Sequence, residues 1–120
     1  MKSKIIIGTA NFYTNYGILK KKAKNIFKLI DFLNKKNIRS FDISNSYNLK
    51  NNILNYLIKE RRNIFYLKLD INKFTSKKGK INFNKIDSFI NIFPINQISS
   101  LSIHNISYLN NDNIMEIIKY

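Results

Sequence analysis

Residues 38–48 read "IRSFDISNSYN", a stretch with neither glycine nor proline. Its first five residues form a short strand in which Ser40 and Asp42 share one face and Phe41 takes the other, because side chains alternate along extended chain. A carboxylate therefore stands where the strand runs out, and Tyr47 follows five positions later. Segments of helical period lie on both sides. Upstream, "KKAKNIFKLIDFLNKKN" (21–37) carries Ile26, Leu29, Ile30 and Leu33 at i, i+3, i+4 and i+7. Downstream, "NLKNNILNYLIKERR" (48–62) carries Ile53, Leu54, Leu57 and Ile58 as its stripe. Short strands alternating with amphipathic helices are the pattern of βα units and a parallel sheet.

Working outward, "KIIIG" (4–8) reads as the first strand, "NIFYLKLD" (63–70) as the third and "QISSLSIH" (97–104) as the fourth. The third helix is expected over "FNKIDSFINIF" (83–93), closed by Pro94, since proline cannot continue a helix. "NNDNIMEIIKY" (110–120) suits a fourth helix, with Asn111 or Asp112 as cap and Ile114, Ile117 and Ile118 facing inward. "INKFTSKKGKIN" (71–82), with Gly79 and several lysines, reads as a surface loop. The expected fold class is α/β, about four βα units with parallel strands, in a single domain over 1–120.

The bulk composition agrees with a folded domain: 44% apolar and 13% aromatic residues are enough for a core at 120 residues. The net charge of +14 invites a polyanionic partner, yet only Arg39, Arg61 and Arg62 of the 21 basic residues are arginine. Phosphate and guanine readers favour the planar arginine fork, and the densest cluster, Lys20, Lys21, Lys22 and Lys24, reads as a solvated face. Nucleic acid is therefore not the expected partner. No cysteine is present, so disulfides, thiolate nucleophiles and sulfur-ligated metal sites are excluded, and no metal is expected. The three isoleucines after Lys4 are too few for a signal-peptide core, and no stretch approaches a membrane span. A cytoplasmic location and no membrane partner are the expectation.

Strands two, three and four share a grammar: an ionisable residue follows a large apolar one at Phe41-Asp42, Leu67-Lys68 and Ile103-His104. Alternation puts Asp42, Lys68 and His104 on one face, side by side at the carboxyl edge, with Phe41, Leu67 and Ile103 turned to the helices. Gly8 ends the first strand in the same register. The carboxyl ends of parallel strands are where α/β proteins place their chemistry. An ammonium in the middle of "IFYLKLD" needs a partner, and Asp42 is its natural counter-ion. A lysine near a phenol favours the phenolate and so sharpens Tyr47 as a proton donor, while His104 adds a hydrogen-bond donor to a substrate oxygen. Asp31 and Asp70 are expected to be solvated.

These stretches resemble the aldo-keto reductase family. "IIIGTANFYTNYGI" resembles its first strand and following loop, "IRSFDISNSYN" its Asp-to-Tyr segment, "FYLKLDI" its lysine strand and "LSIHN" its histidine strand. The resemblance implies an oxidoreductase with catalytic Asp42, Tyr47, Lys68 and His104, reducing an aldehyde or ketone with NADPH. Gly8, Thr9 and Asp42 would be cofactor-binding, and a small carbonyl compound would be the substrate. The implied architecture is a TIM-type (β/α) barrel, of which the chain spans about the first half, without the later loops that hold the cofactor phosphates. "GTANFYTNYG" is not a dinucleotide-binding loop, because Gly8 and Gly17 are too far apart. Asn48 and Asn55 stand near places where the family usually has glycine. Two readings follow: a truncated NADP-dependent reductase, inactive alone, or a non-catalytic module that self-associates or pairs with a second half-barrel.

Overall fold

One sheet face is apolar and the other polar, and this split organises the molecule. The computed structural model describes residues 4–12, 25–104 and 111–119, without the side chains of Asn111 and Ile114. The lysine cluster at 20–24, Gly17 and the start of the expected first helix lie outside the described residues. Four parallel strands, β1 (Ile6–Gly8), β2 (Ser40–Ser44), β3 (Ile64–Asp70) and β4 (Ile98–His104), are hydrogen-bonded in the order β1-β2-β3-β4. Helices α1 (Ile26–Lys35), α2 (Asn51–Lys59) and α3 (Phe83–Ile90) fall between them, and α4 (Asn111–Lys119) follows β4. The α/β class with four parallel strands is as expected. The sheet is open, with β1 and β4 as its two edges.

Phe41, Ile43, Phe65, Leu67 and Leu69 occupy the helix-covered face and are buried. Ile26, Ile30 and Leu33 of α1 and Ile53, Leu54 and Leu57 of α2 meet that face in one core. Leu29 and Ile58 pack at its margin. A second cluster, Leu69, Ile71, Phe74, Ile81 and Ile86, lies where β3 ends against α3. A chain of rings joins the two: Phe41–Phe65 at 6.4 Å, Phe65–Phe93 at 5.1 Å, Phe93–Phe89 at 5.7 Å and Phe89–Phe74 at 6.5 Å.

Element ends differ from the sequence reading for local reasons. α1 stops at Lys35 because Asn37 adopts φ 64°, with its N–H on the Asn34 carbonyl (3.0 Å) and the Ile38 N–H on that of Leu33 (2.9 Å). That is a Schellman closure, in which asparagine replaces the usual glycine. α3 ends at Ile90, three residues before Phe93, because the residue preceding a proline is pushed out of the helical region. β2 runs to Ser44 and β3 to Asp70, so Asp42 and Lys68 are each followed by two more strand residues. Residues 71–82 are more ordered than a plain loop, with a 3-10 turn at Ile71–Phe74 and an antiparallel bridge from Thr75 to Ile81.

At the amino-terminal edge of β3 and β4 the polar groups are structural. The Gln97 side-chain nitrogen is shared among the carbonyls of Ile58 (3.3 Å), Glu60 (3.1 Å) and Asn63 (3.2 Å), and Asn63 donates to Leu57 (2.8 Å). Both side chains are buried, and they satisfy the Leu57, Ile58 and Glu60 carbonyls at the end of α2 and that of Asn63 just before β3. In α4, Asp112 lies within the first turn, and Ile117 packs on the second cluster. Ile118 is 70% exposed, contrary to the expected inward stripe, and Ile103 on β4 is 42% exposed where a helix was expected to cover it. The side chains of Asn111 and Ile114 lie outside the described residues.

Candidate active site

Polar residues fill the uncovered face: Ser40, Asp42 and Ser44 on β2, Tyr66, Lys68 and Asp70 on β3, Ser100, Ser102 and His104 on β4. Their register is diagonal. Asp42 is level with Gly8 and Tyr66; Lys68 is level with Ser44 and Ser102; His104 is level with Asp70. Asp42, Lys68 and His104 therefore climb two residues per strand, where the sequence reading set them side by side. At strand spacing and rise, consecutive members are about 8 Å apart at Cα, a span that a lysine side chain can close and an imidazole can close only in part.

The lysine does close it. Lys68 Nζ forms an ion pair with Asp42 Oδ2, at side-chain exposures of 33% and 16%. Asp42 Oδ1 accepts the Tyr47 hydroxyl at 3.3 Å. Three of the four expected residues thus meet at one carboxylate. Tyr47 is brought there by a 3-10 turn, Asn45–Tyr47, whose preceding residue Ser44 accepts the Ser46 N–H at 3.2 Å. Asn48 then takes φ 54°, a left-handed conformation that asparagine tolerates better than most residues, at the place where the resembled family usually has glycine. Asn45 anchors the turn to β3: its amide accepts the Asp70 N–H (2.7 Å) and donates to the Asp70 carbonyl (3.2 Å).

His104 ends β4 on the same face and is exposed. Thr9 is fully buried, and both its N–H (3.2 Å) and its hydroxyl (2.8 Å) donate to the Asp42 carbonyl. Its side chain is committed to fixing the backbone of Asp42. Gly8, level with Asp42, is exposed, and a Cβ built on it would meet nothing within 4 Å, so the rim beside the carboxylate is open.

Two residues escaped the sequence reading. Tyr66 sits level with Asp42, and the Lys4 ammonium lies 4.8 Å from its ring centroid. Hydrogen bonding to Lys4, then to Ser99, holds the Tyr66 phenol below its usual range. Only the cross-sheet reach of Lys4 reveals this, and nothing in the local pattern signals it. Asp70, expected to be solvated, is 8% exposed, because the Asn45 turn folds over the end of β3. Asp31 is exposed as expected and accepts the Tyr56 hydroxyl at 2.6 Å. Among the described residues no cluster of three or more His, Cys, Asp or Glu could hold a metal, and no helix is long and apolar enough to cross a membrane. No family model, no curated protein and no solved structure matches this chain.

Proposed function

We propose that this chain carries the catalytic centre of an aldo-keto reductase-type oxidoreductase, which reduces the carbonyl of a small aldehyde or ketone to an alcohol. The observation that carries this reading is the carboxylate of Asp42 holding the Lys68 ammonium on one oxygen and the Tyr47 hydroxyl on the other. Four parallel strands in chain order, with the polar groups rising toward their carboxyl ends, support placing it in a TIM-type barrel.

In this reading Tyr47 is the general acid. Its hydroxyl turns from Asp42 to the carbonyl oxygen and gives up its proton as the alkoxide forms. Lys68, held by Asp42, stabilises the charge left on the phenol oxygen, and the exposed His104 donates a hydrogen bond to the same substrate oxygen. NADPH, when bound, supplies the hydride that the carbonyl carbon receives. Gly8 and Asp42 are the residues suited to the ring end of that cofactor, since the rim between them is open. Thr9 serves it indirectly, by fixing Asp42.

The test is aldehyde-dependent oxidation of NADPH by the purified chain, followed at the reduced nicotinamide band. Saturable NADPH binding and a turnover that Tyr47→Phe abolishes are expected; absence of NADPH binding rejects catalysis by this chain alone. A second reading, a module that pairs through its sheet edges with a second half-barrel or another copy, is favoured by the exposure of Ile5 and Ile6 at β1 and of Leu101 and Ile103 at β4.

A further inference from the structure

The polar face holds one buried titratable group that the proposed chemistry does not use. Asp70 is 8% exposed, and its Oδ1 is buried with no hydrogen-bond partner among the described residues. An unpartnered buried carboxylate oxygen is costly, so a donor is called for. Its backbone N–H and carbonyl are already satisfied by Asn45, which fixes where the carboxylate stands. Lys68, two residues below on the same face, is engaged by Asp42. The side chain level with Asp70 on the neighbouring strand is His104. Residues paired across parallel strands and on one face have Cβ atoms about 5 Å apart, within reach of a carboxylate and an imidazole.

We propose that Asp70 is a positioning residue for His104, accepting one imidazole N–H across the β3–β4 rung. Rotation about the side-chain bonds of the exposed His104 makes the contact. The inference rests on the reductase reading for its purpose, because it decides what His104 can offer a carbonyl. A neutral imidazole that gives its single N–H to Asp70 presents only an acceptor on the other side. An imidazolium donates from both nitrogens, one to Asp70 and one to the substrate oxygen. The other charged group near it on the same face is Lys68 on β3, which is engaged by Asp42. Within β4 its same-face neighbours, Ser100 and Ser102, carry no charge.

The chain has a single histidine, so its ring signals are assigned without ambiguity. Proton NMR of the unliganded chain at a fixed pH reads the His104 ring directly, with no dependence on cofactor or turnover. In Asp70→Asn the His104 ring signals, compared at one fixed pH, are expected to move, because the imidazole N–H loses its carboxylate acceptor; unchanged ring signals overturn the proposal. Should Asp70→Asn not fold, the carboxyl carbon of Asp70 in the unmodified chain is followed instead. Its chemical shift at one fixed pH is expected to move in His104→Gln, a substitution at an exposed site, and a carbon whose shift is unchanged overturns the proposal. Failure of NADPH binding with a normal Asp70 effect would reject catalysis by this chain alone and leave the pair standing; NADPH binding without an Asp70 effect would overturn the pair and leave the reductase reading standing.

Discussion

Asp42 is the residue on which the proposed chemistry turns, and its surroundings separate a catalytic part from a structural one. Its carbonyl is taken by Thr9 and its two carboxylate oxygens by Tyr47 and Lys68, so the group is held from three sides. Replacing Lys68 with methionine keeps the aliphatic stem and removes the charge. Because the pair is partly exposed, folding stability is expected to change by less than about 1 kcal/mol. On the proposed reading the aldehyde-dependent rate is expected to fall by about 10²-fold, because the proton donor would lose the cation that stabilises its conjugate base. Urea denaturation alongside steady-state kinetics separates the two effects; a variant that loses stability and rate together to a similar degree counts against the assigned role.

At the scale of elements, the ends of strands and helices are fastened by side chains that the periodic pattern does not mark. Glu60, just after α2, receives Arg62 at 2.9 Å and lies 3.6 Å from the Arg39 guanidinium at the start of β2. The Arg62 hydrogen bonds pull the Glu60 carboxyl from an ordinary 4.5 to about 2. A carboxyl whose folded-state value is depressed contributes stability that is present above its ordinary value and lost as pH falls toward the folded one. Between pH 4.5 and 2 the chain is therefore expected to lose stability partly through Glu60, and Glu60→Gln should flatten that portion of the curve. Denaturant midpoints across this range provide the measurement, and an unchanged slope would assign the acid sensitivity to other carboxyls.

At the scale of the molecule, an open four-stranded sheet has two edges, β1 and β4. β4 presents exposed apolar side chains: Leu101 is 49% and Ile103 42% exposed, although alternation gives them apolar partners on the covered side of the other strands. Apolar strand edges of this kind promote pairing with other chains, and lysine placed there blocks it. Light scattering on the purified chain is expected to show species above the monomer mass, and the double variant Leu101→Lys, Ile103→Lys is expected to shift them toward monomer. A wild-type chain that is monomeric at all concentrations would remove the pairing reading.

The α/β order, the helical stripes of α1 and α2, and the placing of Asp42 and Lys68 on one sheet face were legible in the sequence, because each follows from a local period: two along a strand, 3.6 along a helix. What needed the tertiary structure was whatever depends on which residues become neighbours across strands. The diagonal rise from Asp42 to Lys68 to His104, the burial of Asp70 beneath the Asn45 turn, the commitment of Thr9 to a backbone carbonyl and the reach of Lys4 to Tyr66 all belong to that class. Periodicity assigns a side chain to a face; register, set by packing of the whole sheet, assigns it a partner.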